Sequence, residues 1–126
     1  MTNFKGTREA FAAAMMDMAE EREDIVVISP DSLKAMRAVP FGEKYPDRYL
    51  ECGIAEQGAV DAAAGLASAG LTPFIGTYCG FLTMRACEQM RTFVGYTNLN
   101  VKFVGVNAGL LGGEREGVTH QFYEDL

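Results

Sequence analysis

Tryptophan is absent from the 126-residue chain and histidine occurs once, at His120, so no site that needs two imidazoles from this chain is available. Cysteine is sparse. Cys52, Cys79 and Cys87 are odd in number and form no Cys-x-x-Cys pair, which indicates neither a disulfide framework nor a thiolate zinc site, and no metal-ligand set is assigned. That usage fits a reducing, cytoplasmic compartment. Lys plus Arg total 11 against 17 Asp plus Glu, a net charge of −6, so no basic footprint exists to neutralise a phosphate backbone and nucleic acid is not an expected partner. No Gly-x-Gly-x-x-Gly, no glycine followed by lysine and Ser/Thr, and no Gly-x-Ser-x-Gly occurs. The dinucleotide fingerprint, the P-loop and the common hydrolase elbow are therefore missing. An export signal is missing too, because the apolar stretch behind Lys5 and Arg8 is broken by Asp17 and Glu20.

One run, Ala62 to Met84, carries no charge and would be long enough to cross a bilayer at ~20 residues per span. Pro73 and four glycines (Gly65, Gly70, Gly76, Gly80) punctuate it into helix, strand and helix, so no membrane association is expected. With 48% hydrophobic and 22% charged residues, the chain has the composition of a globular domain and the length of one. Thr7 is placed to cap a helix whose apolar positions Phe11, Ala14, Met15 and Met18 share a face, with Glu20, Glu21, Glu23 and Asp24 closing it in solvent. Ile25 to Ile28 is β-branched without alternation, as in a strand covered on both faces. A polar loop with Pro40 and Pro46 follows, then a short strand Tyr49 to Cys52 and an alanine-rich helix from Gly53 to Gly70. Thr72 to Ile75 is a third strand, roughly Phe81 to Val94 a helix, and Val101 to Val106 a fourth strand. Strands alternating with helices predict an α/β fold, three layers α/β/α around a mostly parallel sheet. Asn107 to Gly117 is a glycine-rich loop, and a helix begun near Gln121 would be cut after one turn, as in a domain truncated at its C-terminus.

In open α/β sheets ligands gather beyond the carboxyl ends of the strands. Those ends are Ser29-Pro30-Asp31, Gly53 to Gln57, Thr77 to Phe81, and Asn107 to Gln121. Glu56 is the informative residue there. Gln57, Asp61 and Ser68 make one polar stripe on its helix, whereas Glu56 stacks with Val60, Ala63 and Ala67 on the apolar face. A first-turn glutamate that favours the helix dipole contributes ~0.3–1 kcal/mol and needs no other reason. Its apolar neighbours add a second reading, a buried carboxylate that has to be hydrogen-bonded or protonated and is poised for proton exchange with a ligand nitrogen. The small residues Ala59, Ala62, Ala63, Ala64, Gly65 and Ala67 suit close approach of another helix, as at a subunit interface. Tyr78 and Phe81 read as core packing or as an aromatic platform for a planar ring. His120 suits capping, packing, or proton transfer and contact with substrate hydroxyls. Asp31, on composition alone, is a turn residue.

At Gly53-Ile54-Ala55-Glu56-Gln57 together with Gly117-Val118-Thr119-His120-Gln121, the sequence resembles the pyrimidine-binding domain of the transketolase family of thiamine-diphosphate enzymes. The likeness covers residues 1–126 and takes in Ser29-Pro30-Asp31, the Tyr78/Phe81 pair and Arg85-Ala86-Cys87-Glu88-Gln89. It implies the thiamine-diphosphate-binding (pyrimidine domain) fold and a transferase moving two-carbon ketol units between sugars, sugar phosphates foremost. Thiamine diphosphate and magnesium are the implied cofactors. In the family the glutamate matching Glu56 hydrogen-bonds the N1′ nitrogen of the cofactor's aminopyrimidine. Tyr78 and Phe81 match aromatic positions that hold that ring, His120 a histidine near the substrate hydroxyls, and Asp31 an acidic residue near the cofactor. Glu56 and His120 are thus the implied catalytic residues, and Glu56, Tyr78, Phe81 and Asp31 the implied cofactor contacts.

Two departures bear on that implication. Gly113-Glu114-Arg115-Glu116-Gly117 is longer than the family's usual Gly-Glu-Asp-Gly before Thr-His-Gln. The Gly-Asp-Gly…Asn motif that holds magnesium and diphosphate is not in these residues. The resemblance therefore implies a partner subunit or domain carrying that half, in a homo- or hetero-oligomer. The alternatives are a 1-deoxyxylulose-5-phosphate synthase-like fragment and a non-catalytic α/β binding module. The beta chain of 2-oxoacid dehydrogenases lacks the Thr-His-Gln segment.

Overall fold

The computed structural model describes residues 6–112 and 116–125. Four strands, β1 (Ile25–Ser29), β2 (Tyr49–Glu51), β3 (Thr72–Tyr78) and β4 (Lys102–Val106), form one sheet in the order β2-β1-β3-β4, every neighbouring pair parallel. β1 is buried along its whole length, and alternate side chains enter opposite layers. Ile25 and Val27 pack with Met15, Met36 and Phe41, under helices α1 (Thr7–Glu21) and α2 (Val39–Lys44). Ile28 and Ile75 pack on the other face with Ala59, Val60 and Ala63 of helix α3 (Glu56–Ser68) and with Leu82, Ala86 and Val94. The expected three-layer α/β/α architecture results. From β1 the chain goes outward to β2, then returns through α3 to β3 on β1's other side, so the order switches between β1 and β3, where a crevice opens at the carboxyl ends.

Local differences from the sequence expectation have physical reasons. Thr7 is the first helical residue of α1 rather than its cap; Gly6 precedes it and no side chain caps the end. The loop around Pro40 contains α2, since proline is tolerated in a helix's first turn, where its missing N–H costs nothing. β3 runs on to Tyr78 because β4 pairs with it as far as Tyr78↔Val106. The uncharged run Ala62 to Met84 divides among α3, β3 and the turn after it, and among the described residues no helix is long and apolar enough to cross a membrane. Residues 121–125 form no helix.

The segment after β3 is not a regular α-helix. Phe81–Arg85 and Met90–Gly95 are π-helical turns on either side of a short α-helical turn, α4 (Cys87–Gln89). The inward residues explain this. Leu82, Ala86, Met90 and Val94 face the core at a strict spacing of four. On an α-helix of ~3.6 residues per turn that stripe would drift by about 120° over three steps. The wider π turns keep it straight.

At the amino ends of the strands, polar contacts fasten α1 to the sheet. The Arg48 guanidinium donates to the carbonyls of Ala19 (3.0 Å) and Arg22 (2.9 Å), occupying acceptors left free at the end of α1. Asp24, rather than simply facing solvent, accepts from Arg22 (2.6 Å) and from the Thr72 hydroxyl (2.6 Å). The Arg22 hydrogen bond, then that of Thr72, holds the Asp24 carboxyl down at about 2. Its ordinary value is ~3.9, so the folded state binds this proton less well than the unfolded chain. The contribution is therefore present above pH ~4 and is lost as pH falls towards 2. Urea unfolding of wild type and Asp24→Asn at neutral pH and near pH 2.5 tests this: the gap between their midpoints narrows at the lower pH.

Candidate active site

Two turns meet at the crevice between β1 and β3. Gly53, with φ +63, takes a left-handed conformation that turns the chain out of β2 into α3, and this places Glu56 as the first residue of that helix. Across from it Asp31, φ +54, turns the chain after β1. One side chain ties the two turns together. Glu51 Oε1 accepts from the Asp31 N–H (2.7 Å) and the Gly53 N–H (3.0 Å), while Oε2 accepts from the Tyr49 hydroxyl. Burial, with the Glu51 carboxylate beside it, pushes the Tyr49 hydroxyl well above the usual phenol range, which keeps it a donor. Beneath Asp31 a buried polar network links Ser29, whose hydroxyl accepts from the Ser32 N–H (2.7 Å), to Ser32 and Thr77, whose hydroxyl oxygens are 2.7 Å apart. It fastens the first turn to the end of β3.

The five residues singled out in the sequence converge. Asp31, Glu56, Tyr78, Phe81 and His120 line one pocket of about 210 Å³, together with Pro30, Ser32, Ile54 and Arg85. Glu56 is 5% exposed, as its place on the apolar side of the helix predicts. The Tyr78 and Phe81 rings lie 5.5 Å apart and tilted by 45°. The His120 ring stands edge-on to both, at 4.7 and 4.9 Å, on a short 3-10 turn (Val118–His120). His120 Nδ1 is 2.9 Å from the Thr119 hydroxyl. Asp31 stays exposed at the rim. Gly113, Glu114 and Arg115, in the unusual loop before Thr119, lie outside the described residues.

Sequence reasoning placed Arg85 in the resembling segment but gave it no role. Its Nη1 donates to Glu56 Oε1 at 2.7 Å, and its guanidinium carbon lies 3.7 Å over the Phe81 ring. The four-residue spacing of Phe81 and Arg85 was the available signal, since such pairs meet on one face of a helix. Glu51 left no comparable trace, because the two turns it joins are held through backbone N–H groups. Burial raises the thiols of Cys52 and Cys79 above their usual range, so neither is an activated nucleophile.

Residues 5–126 match the family model for the transketolase pyrimidine binding domain. The chain belongs to that family. A transketolase C-terminal section of Methanocaldococcus jannaschii is 34% identical over 123 residues, covering 98% of this chain and 39% of that protein. A 1-deoxy-D-xylulose-5-phosphate synthase of Brevibacillus brevis is 43% identical over 116 residues, covering 92% of this chain and 18% of that protein. A solved split gene transketolase, an inactive beta4 tetramer, superposes with a TM-score of 0.79 at 38% identity, covering 95% of this chain and 38% of that one. The pyrimidine-binding domain described here thus spans about two fifths, or less, of the relatives it matches.

The pocket wall depends on the close seating of Phe122. A Cβ at Gly80 would stand 2.0 Å from the Phe122 ring, which packs edge-on to Phe81 at 5.4 Å. Gly80→Ala displaces Phe122 and is expected to cost about 1–3 kcal/mol, the range for overpacking a filled site. Urea denaturation measures it.

Proposed function

We propose that this chain is the pyrimidine-binding part of a thiamine-diphosphate-dependent transketolase that moves two-carbon ketol units between sugars, sugar phosphates foremost. It works with a separate subunit or domain that holds the diphosphate and magnesium. The observation that carries the reading is Glu56, a carboxylate sunk between aromatic side chains at the strand switch point.

The lining fits one end of the cofactor. An aminopyrimidine needs an aromatic wall for its face and a carboxylate for its ring nitrogen, and Phe81, Tyr78 and Glu56 supply these. The other end fits poorly, because the lining carries two carboxylates, Asp31 and Glu56, against one guanidinium, an unfavourable field for a diphosphate. Among the described residues no group of three or more His, Cys, Asp or Glu is placed to hold a metal. Ile54, lining the pocket, and Met84, Val118 and Tyr123, lining the adjoining cavity, are apolar and exposed. Such a rim suits a partner surface that closes the site.

When bound, thiamine diphosphate supplies the nucleophilic carbon that takes up the two-carbon unit. Glu56 shares a proton with the N1′ nitrogen, and its burial keeps water from competing for that hydrogen bond. Tyr78 and Phe81 hold the ring in register with the carboxylate. His120, edge-on to both rings, faces the space where substrate hydroxyls enter and exchanges protons there. Asp31 stands at the rim, where it orients the entering cofactor.

A 1-deoxy-D-xylulose-5-phosphate synthase reading rests on the 43% identity to the Brevibacillus relative. Assaying the complex with a diphosphate-binding subunit for both ketol transfer and 1-deoxy-D-xylulose 5-phosphate formation separates the two. In that complex Glu56→Ala is expected to lower the rate by at least ~10²-fold, the scale of a lost general acid–base group. Transfer at the wild-type rate would remove Glu56 from the chemistry and leave a non-catalytic module as the better description.

A further inference from the structure

Arg85 makes two contacts at once. Its flat guanidinium lies 3.7 Å over the Phe81 ring, and its Nη1 donates to Glu56 Oε1 at 2.7 Å. A planar group stacked on an aromatic side chain and hydrogen-bonded to a buried carboxylate is the arrangement expected of an aminopyrimidine in this pocket. We propose that Arg85 is an internal occupant of the ring site, satisfying Glu56 while the site is empty and leaving as the cofactor's pyrimidine enters. The inference rests on the reading of Glu56 given above and adds a residue that sets cofactor affinity.

The surroundings allow such an exchange. Glu56 is almost wholly buried, so its carboxylate needs a partner whether or not a ligand is present. Arg85 is different: its side chain is 45% exposed and has water to swing into. Its backbone need not follow, because the Arg85 carbonyl accepts from Gln57 Nε2 (3.0 Å) in the first turn of α3. The residue ends a π-helical turn, an irregularity found preferentially at functional sites. The exchange conserves the number of contacts. Glu56 trades the guanidinium N–H for a hydrogen bond with the ring's N1′ nitrogen through a proton taken up from solvent, and Phe81 trades one flat cation for a ring. What the cofactor must overcome is the stacked, partly screened ion pair, which lowers its apparent affinity by the fraction of time Arg85 is in place.

The test uses the complex with the diphosphate-binding subunit, titrated calorimetrically with thiamine diphosphate at saturating magnesium. Arg85→Met removes the guanidinium but keeps a long apolar stem, and is expected to tighten binding about tenfold, as a cation–π contact plus a half-exposed ion pair would give. Arg85→Lys keeps the charge without the plane and should fall between the two. If Arg85 only braced Glu56, both substitutions would weaken binding and lower the thermal midpoint of the complex. Unchanged or weaker binding in Arg85→Met and Arg85→Lys therefore overturns the occupant role. Glu56→Gln, titrated alongside, tests the underlying reading by itself: wild-type affinity there would remove Glu56 from the cofactor site, whatever the Arg85 variants do.

Discussion

A carboxylate that begins a helix on its apolar side has to be given a partner, and the pocket is arranged around that requirement. Glu56 cannot return to water without unwinding the first turn of α3, whose Ala59, Val60 and Ala63 are wholly buried against the sheet. Leaving an ionised group there unpaired would cost several kcal/mol. The partner therefore has to come to Glu56. In the protein it is Arg85, delivered by the turn that follows β3.

Positioning of that pair depends on how the strands end. Parallel strands bring the carboxyl ends of β1, β2 and β3 to one edge, so the turns after them are neighbours although far apart in sequence. Glu51 binds the first two turns through their backbone N–H groups, while Ser32, whose N–H donates to the Ser29 hydroxyl and whose hydroxyl pairs with that of Thr77, joins the first to the third. Buried polar groups satisfied in this way are rigid, since breaking any bond would leave its partner unpaired away from water. The result is a fixed frame around the pair that Glu56 makes with the half-exposed Arg85.

Much of this was legible in the sequence because burial leaves a period. The unalternating Ile25 to Ile28 announces a doubly covered strand, and the helical wheel of α3 puts Glu56 on the wrong side for a solvated glutamate. Tyr78, Phe81 and His120 stand at strand ends, and parallel topology alone brings strand ends together. What stayed hidden works through the backbone or through pairing. The clamp by Glu51 has no pattern, since N–H groups belong to every residue. The α2 helix hides behind Pro40. The π turns are encoded in the strict fourfold spacing of Leu82, Ala86, Met90 and Val94, a signal that an α-helical template misses because it searches for 3.6.

That fourfold spacing links the core to the site. A regular α-helix from Phe81 would carry Leu82 and Val94 to different faces, and the chain widens its turns to keep both in the core. Widening the first turn also rotates the residue that ends it. Arg85 ends that turn, one place before the buried Ala86, where its guanidinium lies over the Phe81 ring and reaches Glu56. At ~3.6 against ~4.4 residues per turn the two geometries differ by about 18° per residue, so an α-helical turn would swing the Arg85 side chain by about 70° relative to Phe81 over the four steps between them. The contact between Arg85 and Glu56 is thus a consequence of how the hydrophobic layer behind it is packed, which is why a feature of the core decides what stands in the pocket.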